Sequence, residues 1–154
     1  MDAEVRNELL TRARAAAEHA YVPYSEFPVG AAALSSDGSI HTGCNIENAS
    51  YGLSICAERT AVSSAISTGQ RQIVAVAVSA PKVPGTTPCG ACRQFLNEFR
   101  PETSDMMIIL DDHQAGESIW LNELLPQAFG PRNLDQAALA GDMRSTPRRD
   151  DHGG

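Results

Sequence analysis

The sequence predicts an α/β domain, a three-layer α/β/α arrangement around a mixed sheet of roughly five strands. Strand-like runs alternate with helix-like segments along the chain, the pattern of helices layered on a sheet. Residues 73–78 are almost wholly apolar, β-branched side chains alternating with alanine, as in a central strand covered on both faces. Asp37-Gly38 separates two short strand-like runs, the signature of a hairpin, so an antiparallel pair enters the sheet.

Residues 5–21 carry Val5, Leu9, Leu10, Ala13, Ala16, Ala17 and Ala20 at helical spacing among charges, and Pro23 stops the pattern. Residues 29–34 and 40–44 form the hairpin strands, and the asparagine-rich stretch 45–54 reads as a loop. Helical periodicity returns over 55–67 and ends at Gly69. After the central strand, 81–88 is a loop and Pro88 marks the start of a helix over 89–99. Residues 106–110 and 118–120 are the remaining strands, and 122–128 a short helical turn. From about residue 135 to 154, Ala, Gly, Pro, Arg and Asp dominate without periodicity, which reads as a mobile tail behind a folded unit spanning 1–134.

The 154 residues fit one domain, with no internal repeat. A formal charge of -7 disfavours a nucleic acid strand as partner and favours a small substrate. No apolar run approaches the roughly 20 residues that span a bilayer, and the charged start lacks the apolar region of a secretory signal. With four cysteines, three in a metal pattern, the thiols are expected to be reduced and the protein cytoplasmic.

Cys56-Ala57-Glu58 and, 33 positions after Cys56, Cys89-Gly90-Ala91-Cys92 carry the chemistry. Cys89 and Cys92 share a face of one helical turn, and Cys56 meets them from the start of another helix. Three thiolates are the ligand count of a catalytic zinc site with one open position, whereas structural zinc is closed by four. Glu58, two residues from a ligand, can stand beside the metal without binding it, as a general base must. Helix N-termini favour the thiolates, and a cation should offset their surplus negative charge: Arg59, and Arg93 or Gln94, are placed to donate to sulfur. The competing structural reading is a closed site with Cys44 as fourth ligand. His19, His41, His113 and His152 stand in none of the motifs.

Five ordered motifs resemble the small homotetrameric cytidine deaminases: Phe27-Pro28-Val29-Gly30-Ala31-Ala32, residues 43–51 from Gly43-Cys44-Asn45 to Ser50-Tyr51, Cys56-Ala57-Glu58-Arg59-Thr60-Ala61, Pro88-Cys89-Gly90-Ala91-Cys92-Arg93-Gln94, and Leu124-Leu125-Pro126-Gln127-Ala128-Phe129. The resemblance covers roughly residues 5 to 133. It implies hydrolytic deamination of cytidine and deoxycytidine in pyrimidine salvage, with one Zn2+ per subunit held by Cys56, Cys89 and Cys92. In that family the position of Cys44 is not a ligand. Glu58 would take a proton from the attacking water, protonate N3 and then serve the leaving ammonia.

The resemblance also implies that Asn45 and Glu47 hold the ribose, that Phe27 lies against the pyrimidine, and that the backbone of Ala57 and Cys89 reads the ring edge. Arg59 and Gln94 would support the sulfurs. Tyr51 and Phe129 match residues that reach a neighbouring subunit's site, which implies a homotetramer. Rival readings are a deaminase of a cytosine-containing nucleoside antibiotic, a polynucleotide editor, for which no basic aromatic stripe is present, and a non-catalytic zinc module.

Overall fold

The computed structural model describes residues 1–114, 116–130 and 133–134. The predicted tail, 135–154, lies outside the described residues. In chain order the elements are α1 (Ala3–Ala17), β1 (Gly30–Ser35), β2 (Ile40–Cys44), a 3-10 turn (Tyr51–Leu53), α2 (Ala57–Ser67), β3 (Ile73–Ser79), α3 (Gly90–Glu98), β4 (Met107–Leu110), β5 (Glu117–Trp120) and α4 (Leu121–Leu124). They build the expected five-stranded sheet in the order β2-β1-β3-β4-β5. It is mixed: β3 and β4 run parallel, and the other pairings are antiparallel.

Period-2 alternation divides the interior between the two faces of the sheet. Ala31, Ala33, Val76, Val78, Ile108 and Leu110 point one way, into a core shared with Ala61, Val62 and Ala65 of α2 and Leu96 of α3. Ala32, Ala75, Ala77 and Ile109 point the other way, against Leu9, Leu10 and Ala13 of α1. Small residues dominate the α1 side of the central strands, so α1 packs close. At Gly30 the approach is limiting, because a Cβ there would collide with the backbone of Ala13 and Ala17. Gly43 has the same role beneath α2, where a Cβ would meet the backbone of Thr60 and Ala61.

The predicted boundaries need modest correction. The first helix ends at Ala17 rather than Tyr21, since Tyr21 leaves it to donate to the Asn45 carbonyl at 3.0 Å. Helix α2 starts at Ala57, because Cys56 is extended (ψ 154) and caps it. The last helical turn is Leu121–Leu124 rather than 122–128.

Register sets where the site must form. Gly30 pairs with both Cys44 and Ser79, and β4 runs parallel to β3, so the end of β2, the start of β1 and the ends of β3 and β4 lie along one edge. The segments leading into α2 and α3 leave from that edge.

A carboxylate pins the same end. Asp111, 2% exposed, accepts from Arg14 Nε (2.8 Å) and Nη2 (2.6 Å), from Ser79 Oγ (2.8 Å) and from the His113 amide (2.9 Å). The Arg14 hydrogen bonds, helped by Ser79 and the His113 amide, hold its carboxyl far below the ordinary range. A depressed carboxyl pKa contributes stability that is present above the unfolded value of about 3.9 and is lost as pH falls from there through the folded value. Asp111→Asn should therefore cost about 2 kcal/mol in urea unfolding at pH 7, with Arg14 half in water keeping the figure modest. The deficit should shrink by pH 3; a deficit independent of pH would mean that packing, not the charge, is what Asp111 supplies.

Candidate active site

Two helix starts converge at the shared sheet edge. Cys56 is the N-cap of α2 and Cys89 the N-cap of α3, and neither spends its side chain on capping, so both thiols are free to face a third group. The first helical bonds form behind them, from Thr60 N–H to the Cys56 carbonyl (3.1 Å) and from Arg93 N–H to the Cys89 carbonyl (2.9 Å). Cys92 lies one turn into α3 and is fully buried. The three sulfurs are within 4.8 Å of one another, and Cys56 Sγ is 4.0 Å from Cys89 Sγ.

This donor set fits zinc. Tetrahedral Zn–S bonds of about 2.3 Å place sulfurs about 3.8 Å apart, so small side-chain adjustments suffice. Cys44 stands outside the cluster; its thiol donates to the His19 carbonyl at 3.4 Å. The fourth thiolate of a closed site is therefore missing.

The electrostatics favour thiolate at Cys56. The Cys56 pKa is pulled down to about 5, chiefly by a hydrogen bond from the Cys92 thiol, with Arg59 and Cys89 adding to it against burial. Cys92 is shifted the other way and holds its proton, because it donates to Cys56 and is buried. A divalent cation displaces such protons on binding. Arg59 Nη2 lies 3.7 Å from Cys56 Sγ and 3.3 Å from the Ser54 carbonyl, while its buried Nε finds no partner among the described residues. Gln94 and Arg93, the other expected donors to sulfur, point elsewhere. Gln94 Nε2 donates to the Phe129 carbonyl (2.9 Å), and Arg93 to the Pro88 and Leu124 carbonyls (2.7 and 3.0 Å).

Glu58 occupies the first turn of α2 and is only 4% exposed. Burial raises its pKa, and the charge on Cys56 raises it further. A carboxyl so placed exchanges a proton more readily near neutral pH than a solvated one.

A backbone bridge ties the segment of Asn45 and Glu47 to the chain that leads into α2. Ile46 and Ile55 exchange two 2.9 Å hydrogen bonds, so Asn45 and Glu47 are tied to the residue before Cys56. Asn45 spends both ends of its amide on the chain around Phe27: Oδ1 accepts from Val29 N–H (2.9 Å) and Nδ2 donates to the Phe27 carbonyl (2.8 Å). Glu47 accepts from the Tyr24 and Ser25 amides (2.9 and 3.2 Å). The Ser25 hydroxyl, with those amides, holds its carboxyl below the ordinary value. Both side chains thus brace the 24–29 segment that carries Phe27, as a polar loop that caps itself.

Ala57 is fully buried. Tyr51 is 75% exposed and packs edge-on against Tyr24, and Phe129 is 61% exposed. Sequence reasoning missed how Phe129 is held: Gln94 and the buried Asn97 both donate to its carbonyl. The only signal was their i, i+3 spacing on the polar face of α3.

Metal content tests the ligand set. Cys44→Ser should keep one zinc per chain by atomic absorption, whereas Cys89→Ser should lose most of it. Loss of zinc from Cys44→Ser would contradict the open three-thiolate site.

Comparison with known proteins agrees with this geometry. The family model for the cytidine and deoxycytidylate deaminase zinc-binding region matches residues 3–108. A cytidine deaminase of Halalkalibacterium halodurans is 49% identical over 131 residues, 84% of this chain and 98% of that protein. One from Mycobacterium tuberculosis is 47% identical over 83% of this chain and 92% of its own. The crystal structure of cytidine deaminase from Burkholderia pseudomallei superposes with a TM-score of 0.73 at 44% identity, covering 80% of this chain and 98% of that one. The convergent cysteines, the five-stranded mixed sheet and these likenesses place the chain in the zinc-dependent cytidine deaminase family.

Proposed function

We propose that this protein hydrolyses cytidine and deoxycytidine to uridine and deoxyuridine with release of ammonia, in pyrimidine salvage. The observation that carries this reading is the buried Glu58 carboxyl beside three convergent thiols. When bound by Cys56, Cys89 and Cys92, zinc supplies the Lewis acid that lowers the pKa of the attacking water.

The residues do the rest. Glu58 accepts the water proton as oxygen adds to C4 and passes it to N3, leaving a tetrahedral carbon. The same carboxyl then moves the proton of the new C4 hydroxyl to the amino group, and the C4–N bond breaks as the C4 carbonyl forms, giving ammonia. Its raised pKa serves both directions of transfer. Arg59 offsets the surplus thiolate charge through its contact with Cys56. The backbone of Ala57 and Cys89 borders the ring edge, and Phe27 stacks on the pyrimidine. Asn45 and Glu47 hold the ribose with the hydrogen-bonding capacity left after bracing 24–29.

Residues 1–134 form the catalytic unit in this reading, and four copies share their sites. Exposure of Tyr51, Leu53, Tyr21 and Phe129 on one chain supports that assembly, since several large side chains left in water favour a covering partner. The reduced thiol site fits a cytoplasmic setting. Among the described residues no helix is long and apolar enough to cross a membrane.

Ultraviolet assay of cytidine, deoxycytidine, cytosine and adenosine, with and without a zinc chelator, tests the reaction. Activity confined to the two cytosine nucleosides and lost on chelation is expected; chelator-resistant turnover would contradict it. Glu58→Gln should keep its zinc and bind substrate at least as tightly, while turnover falls by about 10⁴ or more. Turnover within about tenfold of the parent would move the proton shuttle to another residue. Sedimentation should give about four times the 16.4 kDa subunit mass, and a fully active monomer would refute shared sites.

A further inference from the structure

Cys89 reaches the metal site on a weakly anchored segment. Beyond β3, Gly85 N–H donates to the Asp111 carbonyl at 2.8 Å, and the next backbone bond downstream is the one that starts α3, from Arg93 N–H to Cys89. Among the described residues, the backbone of 86–88 makes no backbone–backbone hydrogen bond. The N-terminus of α3 has no side-chain cap either.

Arg93 fills that gap with three contacts. Its Nε donates to the Pro88 carbonyl at 2.7 Å, Nη2 to Thr87 Oγ1 at 3.2 Å, and Nη1 to the Leu124 carbonyl at 3.0 Å. As the residue after Cys92, it leaves α3 about 100° around the helix from that sulfur, so one helix turn offers a ligand on one side and a brace on the other. The trans peptide is planar, so holding the Pro88 carbonyl fixes the plane from which Cys89 begins and the direction of the Cys89 N–H. Pro88, fully buried, has a locked φ, which leaves this peptide little other freedom. The planar guanidinium suits the task, because it addresses three acceptors at fixed angles.

We propose that Arg93 is a positioning residue for the zinc ligand Cys89: its guanidinium fixes the Thr87–Pro88 approach and so keeps the third thiolate in coordination range. The inference rests on the three-thiolate site and not on the nucleoside substrate.

Zinc release from the full-length, zinc-loaded protein to a chromophoric chelator reads this role without any activity measurement. Thermal unfolding is recorded beside it, and Arg100→Gln, which breaks the contact with Asp105 before the start of β4, at the opposite end of the sheet, serves as a control for general loosening. Arg93→Gln should release zinc about 10 to 100 times faster than the parent. Release within about twofold of the parent, or no faster than from Arg100→Gln, overturns the proposal. If Arg93→Gln does not fold, Arg93→Lys decides: it keeps the charge and a donor but loses the fork, so release several-fold faster is expected and a parental rate contradicts the role. A parent chain that binds no zinc would instead overturn the site itself.

Discussion

Three sulfurs can meet at one point only because two helices begin at the same edge of the sheet. That convergence depends on the pairing of Gly30 with both Cys44 and Ser79, and on the parallel run of β3 and β4. It puts unsatisfied N–H groups of two helix starts, and their partial positive charge, where thiolates accumulate. Arg59 adds a full charge against Cys56. Without those positive ends, three thiolates at mutual distances below 4.8 Å would repel one another, and burying Cys92 would be more costly still.

The same crowding explains why Glu58 is expensive. A carboxyl that is 4% exposed beside a low-pKa thiol gains nothing for folding at neutral pH, since burial and the neighbouring charge both oppose its ionisation. Stability comes from elsewhere at the same end of the sheet. Asp111 gathers donors from α1, from the end of β3 and from the following turn, and its carbonyl holds Gly85 in the loop that leads to Cys89. A charge-rich, largely buried centre is thus mounted on a hydrogen-bonded polar frame.

Features of short sequence range were legible. Asp37-Gly38 announced the hairpin, alternation over 73–78 announced the central strand, and the Cys-x-x-Cys spacing put two thiols on one helical face. What stayed hidden depends on contacts between distant residues. The Ile46–Ile55 bridge, whose antiparallel register sets Asn45 across from Cys56, has no local signature. Nor does the Arg14–Asp111 pair, 97 positions apart. Adjacency misled for Arg93 and Gln94. Both follow Cys92 directly, yet helical rotation turns them away from sulfur, toward the Pro88, Leu124 and Phe129 carbonyls. The motif for Asn45 pointed to a ligand contact, while the fold also gives it the task of bracing the segment around Phe27.

Everything functional here follows from a zinc site of three thiolates with one position left open. X-ray absorption on the zinc-loaded protein measures that directly, because sulfur at about 2.3 Å and a lighter atom at about 2.0 Å scatter distinguishably. Three sulfur neighbours and one light neighbour are expected. Four sulfurs, with Cys44 drawn into the shell, would make the site a closed structural one and remove the basis for hydrolysis.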